Sequence, residues 1–204
     1  MTLTLFYRPA ACSQSPHIVL RELGLPFALE KVDRQTGKLA DGTEYAKINP
    51  KGYVPALRLD NGEILVEGPA IVQYLADQKP EAGLAPRWGT FERYRLIEWL
   101  NFLTSEIHKG YSPLFRPTTP EEYKTIARTN LGQRLAWVDG HLASKPFLMG
   151  ERFTVADPYL FVMLSWSKGA NVSLEGFPHL TAFRDRIAAR PAVQEALRAE
   201  GLLQ

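Results

Sequence analysis

The chain has 204 residues, 45% of them apolar, which suffices for one large hydrophobic core or two smaller ones. Its 24 basic and 22 acidic side chains leave a net charge of +2, too weak a field to attract nucleic acid or a membrane surface, so a small molecule or a protein is the expected partner. A single cysteine excludes an internal disulfide framework and fits a reducing, cytoplasmic compartment; the apolar run from Leu3 to Tyr7 is too short for a signal peptide, and no stretch reaches transmembrane length.

Thr2 to Tyr7 alternates apolar and polar residues with β-branched members, a strand pattern. After the turn Arg8-Pro9-Ala10-Ala11-Cys12-Ser13, Pro16 suits a helical first turn, and Ile18, Val19, Leu20 and Leu23 give an apolar face that Gly24 ends. Phe27 to Asp33 reads as a second strand, followed by a polar loop from Arg34 to Thr43 and the turn Asn49-Pro50-Lys51-Gly52. Asp60-Asn61-Gly62 between Ala56–Leu59 and Glu63–Val66 is a strong hairpin signal. Glu67-Gly68-Pro69 then opens a helix carrying Ile71, Val72, Leu75 and Ala76 on one face. The order βαβ, loop, ββα predicts an α/β thioredoxin-like domain over residues 1–80.

Residues 81–89 hold Gly83, Pro86 and Gly89 and read as a linker. Beyond it strand patterns stop. Phe91, Tyr94, Ile97, Leu100, Leu103 and Ile107 recur at helical spacing, and further helical patterns cover 120–142, 154–168, 178–189 and 191–199, so 90–204 is expected to be an all-α domain. Thr154 and Asp157 fit a capping box, with the threonine hydroxyl accepting from the N–H three residues on and the aspartate returning a bond.

Cys12 sits where a strand gives way to a helix. Unpaired N–H groups and the positive dipole end of a helix favour a thiolate there, the pattern of a reactive thiol; position alone leaves a buried structural cysteine equally open. With no Cys-x-x-Cys pair, a disulfide formed at Cys12 has no resolving partner in the chain, so turnover requires an external thiol such as glutathione.

Pro9-Ala10-Ala11-Cys12-Ser13, Asn49-Pro50-Lys51-Gly52-Tyr53-Val54-Pro55, Glu67-Gly68-Pro69-Ala70-Ile71, Glu98-Trp99-Leu100-Asn101-Phe102 with Glu106-Ile107-His108-Lys109, and Phe153-Thr154-Val155-Ala156-Asp157 are each weak alone. In this order and spacing they resemble the glutathione S-transferase superfamily, specifically its bacterial beta class, over nearly the whole chain. The resemblance implies the glutathione S-transferase fold, glutathione as co-substrate, no metal, and a homodimer acting on small hydrophobic electrophiles. It implies a cis Val54–Pro55 bond that leaves the Val54 backbone groups unpaired for the cysteinyl unit of glutathione, with Tyr53 beside them. Glu67 would pair with the ligand's α-amino group and the N–H groups from Gly68 would take its α-carboxylate, without the serine hydroxyl that many relatives carry there.

Asn101, Ser105 and His108, at i, i+4 and i+7, share one α-helical face. The resemblance turns that face toward glutathione, with His108 near its sulfur. Glu106 and Lys109 would reach toward the partner subunit's ligand, and Lys38, next to Gly37, is the candidate for the glycyl carboxylate. Phe6, Ala10, Tyr111, Leu114, Phe115 and Trp166 remain to line the electrophile site. Catalysis is expected from Cys12, Ser13 and His108, with thiol transfer or peroxide reduction through Cys12 as a second activity of the same site. A glutathione-binding regulatory or interaction protein with little catalysis is the alternative.

Overall fold

A computed structural model describes residues 2–203 as two compact units, one formed by the chain up to Gly83 and again from Ala189 on, the other by Leu84–Ala188. In chain order the elements are β1 (Leu3–Tyr7), α1 (Gln14–Leu23), β2 (Phe27–Lys31), β3 (Ala56–Arg58), β4 (Ile64–Val66) and α2 (Gly68–Gln78). There follow α3 (Phe91–Phe102), a π-helical turn (Leu103–His108), α4 (Lys109–Tyr111), α5 (Glu121–Leu142), α6 (Ala156–Ser165), α7 (Pro178–Ala188) and α8 (Pro191–Ala199). No helix among the described residues is long and apolar enough to cross a membrane.

In the first unit four strands form a mixed sheet in the order β2-β1-β3-β4, with β1 parallel to β2 and antiparallel to β3, and β3 antiparallel to β4. The hairpin closes as expected: the Leu59 N–H donates to the Glu63 carbonyl at 2.8 Å, and Gly62 takes φ 88, which glycine adopts without a Cβ penalty. Alternation along β1 sorts its side chains. Phe6 is fully buried with Val32, Tyr45, Val54 and Ala56, whereas the neighbouring Tyr7 sets its ring 6.2 Å from that of His17 on α1.

The expected helical domain over 90–204 needs correction at its end, because α8 packs on α1. Arg190 forks onto the Glu22 carboxylate at 2.6 and 2.9 Å, and Arg21 pairs with Glu195 at 3.2 Å. The deepest link is Glu200, whose side chain is fully buried. Its Oε1 lies 2.8 Å from His17 Nδ1, and its Oε2 accepts from Gln14 Nε2 and from the Ala10 N–H, both at 3.1 Å. Arg21 Nε donates to His17 Nε2 at 3.0 Å, so that nitrogen accepts and Nδ1 carries the proton given to Glu200. A carboxylate taken out of water this completely is stable only because donors converge on it.

The second unit contains only helices and their connections. Its entry segment is not a free linker. Leu84 is buried and its carbonyl accepts from the Val155 N–H at 2.9 Å, while the buried Arg93 donates to the Pro86 carbonyl at 3.0 Å and stacks over Trp88 at 4.0 Å. Thr90 caps α3 through the Arg93 N–H. At α6, Asp157 accepts from the Thr154 N–H at 2.7 Å as a capping box requires, and also from the Leu148 N–H at 2.9 Å. The Thr154 hydroxyl, however, donates to that same carboxylate at 3.1 Å instead of accepting from the backbone, because the acid already fills the position facing it.

Replacing Glu200 with alanine strips Ala10, Gln14 and His17 of one shared acceptor. Urea unfolding of Glu200→Ala should show a loss of about 3 kcal/mol or more. A loss below about 1 kcal/mol would mean that helix packing alone holds α8.

Candidate active site

The turn between β1 and α1 is built by short bonds around Ser13, which is fully buried. Its Oγ accepts from the Arg8 N–H at 3.1 Å and donates to the Arg8 carbonyl at 3.2 Å. Ala11 donates to the same carbonyl at 3.2 Å. Ala10 adopts φ 58, a left-handed conformation that costs energy with a Cβ present, and the Glu200 carboxylate on its N–H helps to hold it there. The outcome is a partly buried Cys12 at the start of α1, its thiol donating to the Val54 carbonyl at 3.2 Å.

The facing loop is equally fixed. The Tyr53 carbonyl accepts from the Tyr45 hydroxyl at 2.9 Å and from Asn49 Nδ2 at 2.7 Å, while Asn49 Oδ1 accepts from the Lys51 N–H at 3.2 Å. The Val54–Pro55 bond is cis. The Val54 N–H has no acceptor among the described residues, but its carbonyl is taken by Cys12, so only half of the expected open backbone pair is free. Burial raises the Tyr45 hydroxyl above its ordinary pKa; the bond to Asn49 and the charge of Arg8 lower it, and Cys12 raises it.

Glu67 stands at the N-terminus of α2 with φ 70, its carbonyl accepting from the Ala70 and Ile71 N–H groups at 3.0 Å each. Its carboxylate pairs with Lys51 Nζ at 2.7 Å, a partner the sequence did not announce. At Gly68 an added Cβ would lie 3.9 Å from Pro55 Cγ, ordinary contact, so packing does not require glycine there. Tyr53 and Lys38 are exposed side chains on this loop.

Two expectations for this unit change. Ser13 is committed on both its donor and acceptor sides to Arg8, which makes it a lock for the turn instead of a reacting hydroxyl. Phe6 lies in the core beneath Tyr45 and cannot line a cleft; Arg58 covers its ring at 4.8 Å. Ala10 is exposed.

In the helical unit, the π turn over Leu103–His108 inserts a residue into the α-helical repeat, so the i, i+4, i+7 face does not run unbroken from Asn101 to His108. Asn101 and Ser105 stay exposed, with Ser105 Oγ donating back to the Asn101 carbonyl at 3.1 Å. His108 is instead partly buried, its Nδ1 2.7 Å from the Tyr159 hydroxyl and its ring 5.0 Å from that of Trp166. Phe115, about half exposed, meets Trp166 edge-on at 6.1 Å, and Leu114 is partly buried nearby in sequence.

Tyr111 is a further correction: it is fully buried, its hydroxyl 2.6 Å from Ser167 Oγ, and burial pushes its pKa up to about 12. It supports Phe115 and Trp166 from behind. Glu106 pairs with Arg134 Nε at 2.8 Å within the same unit, and Lys109 is exposed. Tyr45, Tyr159 and Glu200 escaped the sequence reading, and Asn49 and Lys51 entered it only as members of the Asn-Pro-Lys-Gly turn, without the bonds they make here.

Comparison with known proteins agrees on one family. The sequence model of the glutathione S-transferase N-terminal domain matches residues 10–78, and that of the glutathione S-transferase C-terminal domain matches residues 102–191. Glutathione S-transferase GstA of Escherichia coli O157:H7 is 50% identical over 200 residues, covering 98% of this chain and 100% of its own. A bacterial beta class glutathione S-transferase from Sphingomonas chungbukensis superposes with a TM-score of 0.95 at 50% identity, over 98% of this chain and 100% of that one. A sphingomonad glutathione S-transferase complexed with glutathione gives a TM-score of 0.95 at 48% identity, over 98% and 99% of the two chains.

The lock formed by Ser13 is testable. Ser13→Ala leaves the partly buried Arg8 N–H without its acceptor and should lower stability by about 1–2 kcal/mol in urea unfolding. A variant of wild-type stability that has lost all turnover would instead restore Ser13 as a chemical participant.

Proposed function

The chain belongs to the glutathione S-transferase family, and we propose that it binds glutathione against the β1–α1 turn and directs its thiolate at the electrophilic carbon of a small apolar acceptor. It is an enzyme of the transferase class. The observation that carries the finer reading is the pairing of Cys12 with the Val54 carbonyl at 3.2 Å, which brings a thiol, the first turn of α1 and an unpaired backbone N–H at Val54 into one place. An extended cysteinyl unit can add to that N–H as a strand adds to a sheet edge, and its sulfur then meets the same helix end that favours a thiolate. Free thiols ionise near pH 8.5, so lowering the pKa by about two units turns a few per cent of thiolate at neutral pH into the majority form.

Glu67 is the acid for the ligand's α-amino group in this reading, with Lys51 its present counter-ion, and the N–H groups at the start of α2 serve the α-carboxylate. His108 supplies a second proton-transfer group, its ring oriented by Tyr159. Phe115 and Trp166 give the acceptor an apolar surface. Lys38, exposed on the loop after β2, remains the candidate for the glycyl carboxylate, and Asn101, Ser105, Tyr53 and Lys109 supply peripheral polar contacts. The homodimer that the resemblance implies finds support in Phe91 and Tyr94, two aromatic side chains on α3 that are each more than 60% exposed, and light scattering will test it. A single free cysteine is consistent with a reducing cytoplasmic setting.

A second reaction of the same site is favoured by the same sulfur. Cys12 thiolate attacks the glutathione sulfur of a mixed disulfide, forming Cys12–S–S–glutathione and releasing the other thiol. A second glutathione thiolate then attacks the bound glutathione sulfur, freeing Cys12 and producing oxidised glutathione. Cys12→Ala should keep part of the glutathione conjugation of a chlorinated aromatic acceptor and lose thiol transfer entirely. Intact-protein mass spectrometry after exposure to oxidised glutathione should find one adduct on the wild type and none on the variant. An unmodified wild-type thiol would remove the disulfide branch, and no conjugation above the uncatalysed rate would remove the first.

A further inference from the structure

Glu67 keeps a carboxylate at a position whose backbone suits glycine. Its φ of 70 and ψ of 114 lie outside the regions an L residue enters without strain, and glycine would adopt them freely. Strain of this kind persists where the side chain it carries is in use. Burial is not that use, because the Glu67 side chain is 62% exposed and pairs at 2.7 Å with Lys51 Nζ, on a side chain 56% exposed. An ion pair so open to water contributes little to stability, so a competing charge displaces it at little cost.

The backbone beneath the pair is fixed on both sides. Asn49 Oδ1 accepts from the Lys51 N–H at 3.2 Å while Asn49 Nδ2 donates to the Tyr53 carbonyl at 2.7 Å, so one side chain holds both the base of Lys51 and the strand of backbone that leads to Val54. A Cβ added at Gly68 would lie 3.9 Å from Pro55 Cγ, which puts the start of α2 beside the cis proline. Few donors are left at that start. The Ala70 and Ile71 N–H groups are spent on the Glu67 carbonyl at 3.0 Å each, Pro69 has no N–H, and the Gly68 N–H has no acceptor among the described residues. Gly68 brings no side-chain hydroxyl either. A carboxylate arriving here meets one open backbone donor for its two oxygens, and Lys51 is the cation already at that place.

An α-amino acid carries its ammonium and its carboxylate on one carbon. When the ammonium of such a ligand takes the place of Lys51 on Glu67, its carboxylate arrives beside the ammonium it has displaced. From this geometry we infer that Lys51 is a specificity-determining residue that changes partners on binding: the α-ammonium of the γ-glutamyl end takes Glu67, and the Lys51 ammonium turns onto the α-carboxylate next to the Gly68 N–H. The inference rests on the transferase reading above and deepens it by naming the cation that reads the zwitterionic end of glutathione. No proton moves and no covalent bond forms or breaks; two ion pairs replace one. Lys51 thereby selects ligands that carry both charges on the same carbon, which a carboxylate at the helix end alone does not do.

The test compares two ligands by calorimetry, glutathione and 4-aminobutanoyl-cysteinylglycine, which keeps the amine, the thiol and the glycyl carboxylate and lacks only the α-carboxylate. Wild type should bind glutathione the more tightly, and Lys51→Met should reduce that preference about fivefold, the effect of losing one charge-assisted bond at an exposed site. Lys51→Arg should keep the preference near its wild-type value, and urea unfolding verifies that both variants fold. The analogue should bind Lys51→Met at least as well as wild type, since no cation then competes for Glu67. A ratio of the two dissociation constants that Lys51→Met leaves unchanged would overturn the inference. Equal weakening of both ligands is such a result, and would place Lys51 on the glycyl carboxylate or in the fold of the loop. Wild-type protein that conjugates no chlorinated aromatic acceptor would overturn the transferase reading, while the ratio of dissociation constants would still decide the case of Lys51.

Discussion

A thiol can be presented at the first turn of a helix only if the backbone entering that helix reverses direction within a few residues, and here the reversal passes through a left-handed alanine. Ala10 at φ 58 is held by one buried acceptor, the Glu200 carboxylate, which also takes Gln14 from the first turn of α1 and His17 one turn further on. Cys12 lies between the first and the second of these anchors. The position of the sulfur is thus tied to a residue near the opposite end of the chain, and α8 is part of the scaffold of the candidate site although it contributes no group to the chemistry. Ser13 completes the turn locally by closing both backbone groups of Arg8.

What the sequence made legible was what repeats locally. Alternation along β1, the Asp60-Asn61-Gly62 turn and the apolar faces of α1 and α2 each have one period and one physical cause, and the four-stranded sheet follows them closely. The family motifs were legible for the same reason, since their residues lie within a few positions of each other. Glu200 was not, because the bond to His17 spans 183 positions and a lone acid after a short amphipathic helix looks solvated. The allegiance of α8 failed with it. The π turn was hidden too: Leu100, Leu103 and Ile107 fit an α-helical stripe, and a single inserted residue changes which polar side chains turn inward without disturbing that stripe. Thus Asn101 and Ser105 stay out while His108 turns in to Tyr159.

Residue type was the weaker guide within the site. Serine beside cysteine suggested chemistry, yet its hydroxyl is spent on the backbone; aromatic residues suggested a substrate wall, yet Phe6 and Tyr111 are fully buried and only Phe115 and Trp166 keep accessible surface. A side chain's type states which bonds it is able to make. Only the fold states which of those are already made.

The same distinction sorts the charges around Cys12. The two-residue period of β1 sends Tyr7 toward His17 and Glu200 on one face and Phe6 toward Tyr45 on the other. On the first face the Glu200 carboxylate meets the His17 ring, Gln14 and the Ala10 N–H, and its effect is to fix the backbone. On the second, the Tyr45 hydroxyl and the Cys12 thiol are spent on the Tyr53 and Val54 carbonyls of the facing loop. Alternation along a five-residue strand thus ties the turn to α1 through one face and to the loop before the cis proline through the other. A site that binds a sulfur as its thiolate needs a backbone that does not move when charge develops, and the buried bonds to Glu200 and Ser13 supply it.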